Sequence, residues 1–398
     1  MIFSKRVDGL QESATLKINA IANQLKQEGK TIINLTAGEP DFPAFDEAKK
    51  AVIDALEKNM SKYTPTPGVP ELRELVAKKT NAQQPALSSN PWKPANVMIT
   101  NGGKQAIFNV ILTLIEKGDE VLVPAPYWLS YPEMVKVAEG VTKTIPSTIE
   151  DHFKMSAHDL EKAISPKTKM LIINSPCNPT GATYSKAELQ EFGKVLDRHP
   201  QVWVVSDEIY DRIDYTQEGW TSFLEACPQL RNRTITVNGM SKSGAMTGWR
   251  VGWSVSPENV TPKLNALQGH STSGICSLSQ MAAIATLKLP PERFEVQRKE
   301  YLNRRNLALE VLRKSAKIKV DEPHGAFYLF VDLSGVFTGN KTEQDANDFV
   351  QGLLKDEQVA VVSGVDFGAP KCVRLSFATD LQTLLTGCQK IVDYCEKF

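Results

Sequence analysis

A lysine that acts as a nucleophile needs a setting that disfavours its charge and neighbours too small to block its amine. Residues 234–252, TITVNGMSKSGAMTGWRVG, supply both. The β-branched run 234–237 reads as a buried strand, and Asn238-Gly239 ends it. Ser241-Lys242 comes next, among Ser243, Gly244 and Ala245. Desolvation lowers a lysine's pKa, and an unprotonated amine can form a Schiff base with a carbonyl carbon. Most lysines are merely solvated surface residues, so Lys242 must be judged by its company.

Asp207 and Tyr210 stand three apart just after an apolar run, and a turn of helix would put them on one side. A carboxylate there can keep a ring nitrogen protonated, and a phenol can hydrogen-bond a ring oxygen. A capping acid and a packing aromatic are the equally good structural uses. Asn178, in a loop with prolines at 176 and 179, is placed for a ligand oxygen or for a simple turn. Gly102-Gly103-Lys104, after a strand and before a helix, has the form of a phosphate cradle. It is not a P-loop, because the first glycine is missing and Gln105 replaces the required Ser or Thr. Arg250 precedes an apolar run. Arg374 lies inside one, with no acidic residue in the five positions before it. Such an arginine wants an anion, either a structural carboxylate or that of a substrate.

The elements that would position these residues follow from periodicity. Short apolar runs at 97–100, 120–123, 142–145, 170–173 and 202–205 alternate with helical patterns. That alternation predicts a mostly parallel sheet covered by helices on both faces. Ligands of such sheets gather beyond the carboxyl ends of the strands. Gly102, Gly103, Asn178, Asp207 and Lys242 all fall at that end. Before the sheet come an amphipathic helix within 12–30 (Ile18, Ile21, Ala22, Leu25) and a short strand at 31–35. A turn follows, whose Gly38 permits close approach of a ligand. Residues 46–58 and 70–79 read as helices and 80–95 as surface loop. Residues 291–315 read as a long exposed helix linking two domains. The rest reads as a smaller α+β domain, with strands at 316–320, 326–331, 359–362 and 373–377 and helices near 344–356 and 381–396. The expected division is 1–45 with the small domain, 46–290 as the large domain and 291–398 as the small one.

Composition narrows the function classes. Net charge is zero and 41% of the 398 residues are hydrophobic, which offers no electrostatic grip on nucleic acid or an anionic membrane. No apolar run nears the roughly 18 residues of a membrane span. The first residues carry charge where a signal peptide needs an apolar core, so a cytoplasmic location is expected. Six cysteines without a CxxC pair and five histidines without HxxxH spacing argue against a dedicated metal site.

Taken together, the motifs resemble the class I/II aminotransferases of fold type I, specifically the bacterial aspartate aminotransferase branch. The carriers are Ala37-Gly38-Glu39-Pro40-Asp41-Phe42, Tyr63 ahead of Pro67-Gly68-Val69-Pro70, Gly102-Gly103-Lys104-Gln105 and Pro126-Tyr127-Trp128. They continue through Asn174-Ser175-Pro176-Cys177-Asn178-Pro179, Ser206-Asp207-Glu208-Ile209-Tyr210, Ser241-Lys242, Gly248-Trp249-Arg250 and Val373-Arg374-Leu375-Ser376. The resemblance spans almost the whole chain. It implies a large domain that binds pyridoxal 5'-phosphate (PLP), a homodimer with shared active sites, and amino-acid and 2-oxo-acid substrates.

It further implies that Lys242 holds the cofactor covalently and shuttles the proton. Asp207 would pair with the ring nitrogen, Tyr210 and Asn178 with the ring's phenolate oxygen, and Trp128 would stack on the ring. Gly102, Gly103, Lys104, Ser241 and Arg250 would surround the phosphate, joined by Tyr63 from the partner subunit. Arg374 would grip the α-carboxylate, helped by Gly38 and Asn178. Lys104, Ser13 and Thr15 would meet a second carboxylate, which implies aspartate as donor and 2-oxoglutarate as acceptor. Gln11-Glu12 adds no positive charge and argues against substrates with a further carboxylate. Cys177 departs from the usual asparagine of the Pro-x-Asn-Pro loop, and Met240-Ser241 replaces smaller residues. The alternatives are an aminotransferase for aromatic or small neutral amino acids, a related β-lyase, or, more remotely, a non-catalytic cofactor-binding regulator.

Overall fold

The computed structural model describes residues 3–12, 14–337 and 343–398. A seven-stranded sheet runs in the order Val97–Thr100, Gly252–Val255, Thr234–Gly239, Trp203–Asp207, Thr168–Asn174, Glu120–Pro124, Val141–Ile145. All neighbours are parallel except Gly252–Val255, which is antiparallel to both of its partners. The fold is therefore α/β, as the alternation of strands and helices predicts.

The run Met170-Leu171-Ile172-Ile173 shows how sequence builds this layer. Side chains on a strand point to opposite faces in turn, so an unbroken apolar run needs cover on both. Leu171 and Ile173 pack with Leu122 and Val204 in one core. Met170 and Ile172 pack with Val121, Val123 and Val205 in another. Each such buried side chain contributes about 1.5–3 kcal/mol, and helices on either side supply the cover.

A third core joins the two ends of the chain. Ile18, Ala22, Ile32 and Leu35 pack there with Tyr301, Leu309, Phe327, Leu329 and Phe377. Beside it lies a four-stranded antiparallel sheet in the order Val362–Ser363, Cys372–Ser376, Tyr328–Asp332, Lys319–Val320. Ile33–Asn34 pairs in parallel with Val359–Ala360 in a separate two-stranded ribbon.

Several expectations change here. The exposed linking helix of 291–315 is instead Glu292–Leu312, which buries Phe294, Tyr301, Arg304, Arg305, Ala308 and Leu312. Arg304 is buried because Asp41 and Glu300 each accept from it at 2.8 Å. Paired arginines thus cover apolar neighbours and make a buried helix look solvated. The helix from Pro70 runs on to Gln83, into the expected 80–95 loop. There Asn81 bonds the backbone of Trp92 through both ends of its amide, at 2.8 and 2.9 Å. The single strand expected at 359–362 is two, in different sheets. Helices Thr261–Gly269 and Ser277–Leu287 carry no clear period, and the second buries residues such as Gln280, Ala282 and Ala283 on several sides. Residues 208–213 form successive turns, with Asp211 N–H on Glu208 O and Ile213 N–H on Tyr210 O, rather than a turn of α-helix. Among the described residues no helix is long and apolar enough to cross a membrane.

Candidate active site

The carboxyl ends of the parallel strands open on a cavity of about 670 Å³, closed on its other side by the N-terminal segment and the four-stranded sheet. Lys242 stands inside it, three residues past the end of strand Thr234–Gly239. Its Nζ donates to the Gly38 carbonyl. Burial pushes the amine down to about 8, reinforced by the Arg374 and Arg250 cations and opposed by Glu39 and Asp207. A substantial neutral fraction at physiological pH is what a Schiff-base nucleophile requires.

Asp207 ends strand Trp203–Asp207 and is 4% exposed. Tyr131 O–H donates to Oδ2 at 2.7 Å, and Ile209 N–H donates to Oδ1 at 3.2 Å. Burial lifts its carboxyl to about 6, while these hydrogen bonds and Lys242 pull the other way. No basic side chain forms an ion pair with it among the described residues. A cationic ring nitrogen would supply the missing counter-charge.

Arg374 belongs to strand Cys372–Ser376, with its Cα paired to Phe330 and Val362. Its side chain is among the most deeply buried in the protein. Nη1 donates to Asn178 Oδ1 and Nη2 to Thr36 O, each at 2.9 Å, while Nε has no partner among the described residues. A buried guanidinium with no acid beside it and an orphaned Nε is incomplete without an anion. Of the two partners the sequence leaves open, a structural carboxylate is absent among the described residues, which leaves a ligand.

The other end of the cavity is built from backbone. Helix Gly103–Leu114 starts there, and its first N–H groups lack partners within the helix. Gly102 has φ +79°, and a Cβ on it would come within 2.7 Å of Arg250 Nη2. Arg250 is itself left-handed (φ +55°) and, among the described residues, bonds only carbonyls, Thr247 O at 2.8 Å and Asn101 O at 3.1 Å. Ser241 and Gly103 line the same cavity. A helix N-terminus, a hydroxyl and an arginine without an acid make a site for a phosphate-like anion. Lys104 Nζ lies 5.0 Å from the centroid of the Trp128 ring, and both line the cavity. Burial and the nearby Arg250 push the Lys104 amine down.

The cavity wall thus brings together Gly38, Gly103, Lys104, Trp128, Asn178 and Asp207 with Tyr210, Ser241, Lys242, Arg250 and Arg374. Gly102 is not part of that wall but lies directly against Arg250. Tyr63 is 98% exposed and away from the cavity of its own chain. Ser13 lies outside the described residues, as does the side chain of Thr15. Sequence reasoning passed over Tyr131 and Tyr328, and also the hydrogen-bonded series from Asn19 through Asn34 to Thr36. Asn19 and Asn23, both in the wall, stand four apart on helix Ala14–Gln27. That spacing marks one polar face and was the available signal.

Among the described residues four cationic side chains line the cavity (Lys104, Lys242, Arg250, Arg374) against two carboxylates, Glu39 and Asp207. An amine poised for Schiff-base formation, an acid awaiting a ring cation and two anion sites define an enzyme of the pyridoxal phosphate type that works on amino acids. The family described as aminotransferase class I and II matches residues 30–391, and the chain belongs to it. A relative from Rhizobium leguminosarum bv. phaseoli named "Probable aspartate/prephenate aminotransferase" is 41% identical, over 97% of this chain and 96% of its own. An aspartate aminotransferase from Geobacillus stearothermophilus is 40% identical, over 100% and 99%. The solved structure of the Thermus thermophilus aspartate aminotransferase with maleate superposes with a TM-score of 0.92 at 36% identity, covering 99% of this chain and all of that one. Pyridoxal phosphate is the family's cofactor, and the residues present fit it. The glycine cradle beside Arg250 suits its phosphate, and the unpaired Asp207 suits its ring nitrogen.

Proposed function

We propose that the protein transfers the amino group of L-aspartate to 2-oxoglutarate, forming oxaloacetate and L-glutamate by ping-pong transamination. The observation that carries this reading is that Lys242 and the unpaired Arg374 face one cavity. The amine that reacts and the cation that would hold an amino acid's carboxylate are thus presented to the same ligand. Bound pyridoxal phosphate supplies an aldehyde to capture the amino group and a ring that draws electrons from the α-carbon. Asp207 keeps the ring nitrogen protonated. Tyr210 hydrogen-bonds the ring's phenolate oxygen. Asn178, whose Oδ1 accepts from Arg374, has Nδ2 left to donate to that oxygen. Trp128 stacks on the ring. Gly102, Gly103, Ser241, Arg250 and Lys104 surround the phosphate, and Tyr63 of a partner subunit completes it. Arg374 fixes the α-carboxylate, with the backbone of Gly38 beside it. Lys242 carries the proton to and from the α-carbon.

Lys104, with Ser13 and Thr15, receives the second carboxylate of a dicarboxylic substrate. The maleate held by the Thermus neighbour is such a four-carbon dicarboxylate. In this reading residues 46–290 hold the cofactor, and 1–45 with 291–398 form the smaller domain. The enzyme is a cytoplasmic homodimer with shared sites. A panel of amino donors offered to the PLP-loaded protein with 2-oxoglutarate tests it. Aspartate should be the best donor, with oxaloacetate formed in step with glutamate. An aromatic or neutral donor in first place would refute the specificity but not the cofactor assignment. Prephenate belongs in the oxo-acid arm, because it appears in the name of the Rhizobium relative. Gln11-Glu12 adds no positive charge to the N-terminal segment, which argues against its use.

A further inference from the structure

Tyr328, on strand Tyr328–Asp332, is wholly buried and lines the cavity. Its hydroxyl oxygen is 2.9 Å from that of Tyr210. A Cβ on Gly38 would come within 3.4 Å of the same oxygen, and the Arg374 guanidinium carbon stands 4.5 Å from its ring centroid. One residue therefore bonds one group and neighbours two others assigned above to cofactor and substrate.

Burial raises both phenols above their usual range, so each keeps one proton to give. Only one proton can lie on the line between two oxygens. If Tyr210 donates to Tyr328, it has nothing left for a third oxygen. We propose that Tyr328 is a positioning residue: it donates its proton to the Tyr210 oxygen and thereby commits the Tyr210 proton to the cofactor's phenolate oxygen. This rests on the reading that Tyr210 serves that oxygen. A hydroxyl that accepts a hydrogen bond becomes a better donor, by roughly 10–30% per bond. Stronger donation favours the ionised phenolate, so the Schiff-base nitrogen beside it gives up its proton at a lower pH. The charged groups facing the pair are Arg374 and Asp207 toward Tyr210, and Arg374 and Glu39 toward Tyr328. Lys242 Nζ lies 5.8 Å from the Tyr210 ring centroid. Tyr328→Phe leaves all of these in place and keeps an aromatic ring under Arg374.

The test is the pH titration of the cofactor's visible absorption in wild-type holoenzyme, Tyr328→Phe, Tyr210→Phe and the double variant. Tyr328→Phe should raise the midpoint, with about a two- to threefold increase in proton affinity. Tyr210→Phe should raise it further, and the double variant should match Tyr210→Phe alone. KM for aspartate should stay within about twofold in Tyr328→Phe, since a lost carboxylate contact would cost far more. An unchanged midpoint in Tyr328→Phe makes the residue core packing and overturns the proposal. A lowered midpoint means that Tyr328 competes for the Tyr210 proton, and it overturns the proposal too. So does a double variant shifted beyond Tyr210→Phe. If Tyr210→Phe itself leaves the midpoint where it was, the role given to Tyr210 fails, and the proposal with it.

Discussion

Arg374 Nη1 donates to Asn178 Oδ1 across 2.9 Å, tying the four-stranded sheet to the loop that follows strand Thr168–Asn174. The contact aligns the guanidinium but leaves its charge unbalanced, since the amide oxygen is neutral and Nε has no partner among the described residues. Arg374→Lys keeps a positive charge and loses the fork that can bind a carboxylate through two parallel bonds. It should lower kcat/KM for aspartate by about 100-fold or more. Steady-state kinetics read this directly; an unchanged apparent affinity for aspartate would mean that the carboxylate binds elsewhere.

Lys242 titrates near 8 in the cofactor-free protein, and only the neutral amine reacts. Reconstitution of apoenzyme with PLP should therefore speed up about tenfold per pH unit below that value and level off above it. The growth of visible absorption after mixing follows the reaction. Lys242→Ala should develop no such band. Borohydride reduction of the wild-type holoenzyme should leave its pyridoxyl tag on residue 242.

Lys104 faces the cavity from beside Trp128, where burial makes its charge costly without an anion. Lys104→Ala should cut the preference for aspartate over phenylalanine by about 10–100-fold, the size of one or two charge-assisted bonds. Competition between the two donors gives that ratio. Equal losses on both donors would show that Lys104 serves only the phosphate.

Tyr63 is too exposed to serve its own chain, which turns the shared-site reading into a complementation experiment. Tyr63→Ala should retain cofactor poorly, and Lys242→Ala should be inactive. Mixed and re-assembled, the two should regain activity, because one site of each hybrid dimer then has both wild-type residues. A mixture no better than the sum of its parts would exclude sharing.

Glu208 is 2% exposed, and its Oε1 accepts from Ser206 Oγ, Ser222 Oγ and Phe223 N–H. Burial nevertheless lifts its carboxyl to about 7. Between about 4.5 and 7 the folded state holds a proton that the unfolded chain has lost, so this group reduces stability as pH rises through that window. Glu208→Gln keeps the acceptor and removes the charge. Its Tm should gain on the wild type from pH 4.5 to 7 and hold that gain above. A difference in Tm that does not vary with pH would refute the protonated state.

Much of this layout was legible because its signals are local. The unbroken apolar run of strand Thr168–Asn174 requires a sheet buried on both faces, and Asp207 and Lys242 follow the ends of two such strands. Arg374 was legible as an arginine in an apolar strand with no acid nearby. The phenols were not. Tyr131 finds Asp207 76 residues away, and Tyr328 finds Tyr210 118 away. Nothing in either aromatic's own neighbourhood distinguishes a hydrogen-bonding hydroxyl from one that only packs. The helix Glu292–Leu312 misled for the opposite reason. Its arginines carry the local signal, and some of the acids that bury them, such as Asp41 for Arg304, lie far off in sequence.

The ribbon that pairs Ile33–Asn34 with Val359–Ala360 also sets an order on synthesis. The segment carrying Gly38 and Thr36 emerges from the ribosome long before the strand it docks on and the arginine it touches, Arg374 following Thr36 by 338 positions. Until residues 359 and 360 have been made, the parallel sheet has to stand without this part of its cover, and the rim beyond its strand ends is open to water. A chain released prematurely, before residue 359, would therefore lack both the seam that holds residues 33 and 34 and the buried guanidinium of Arg374, however well its middle had folded.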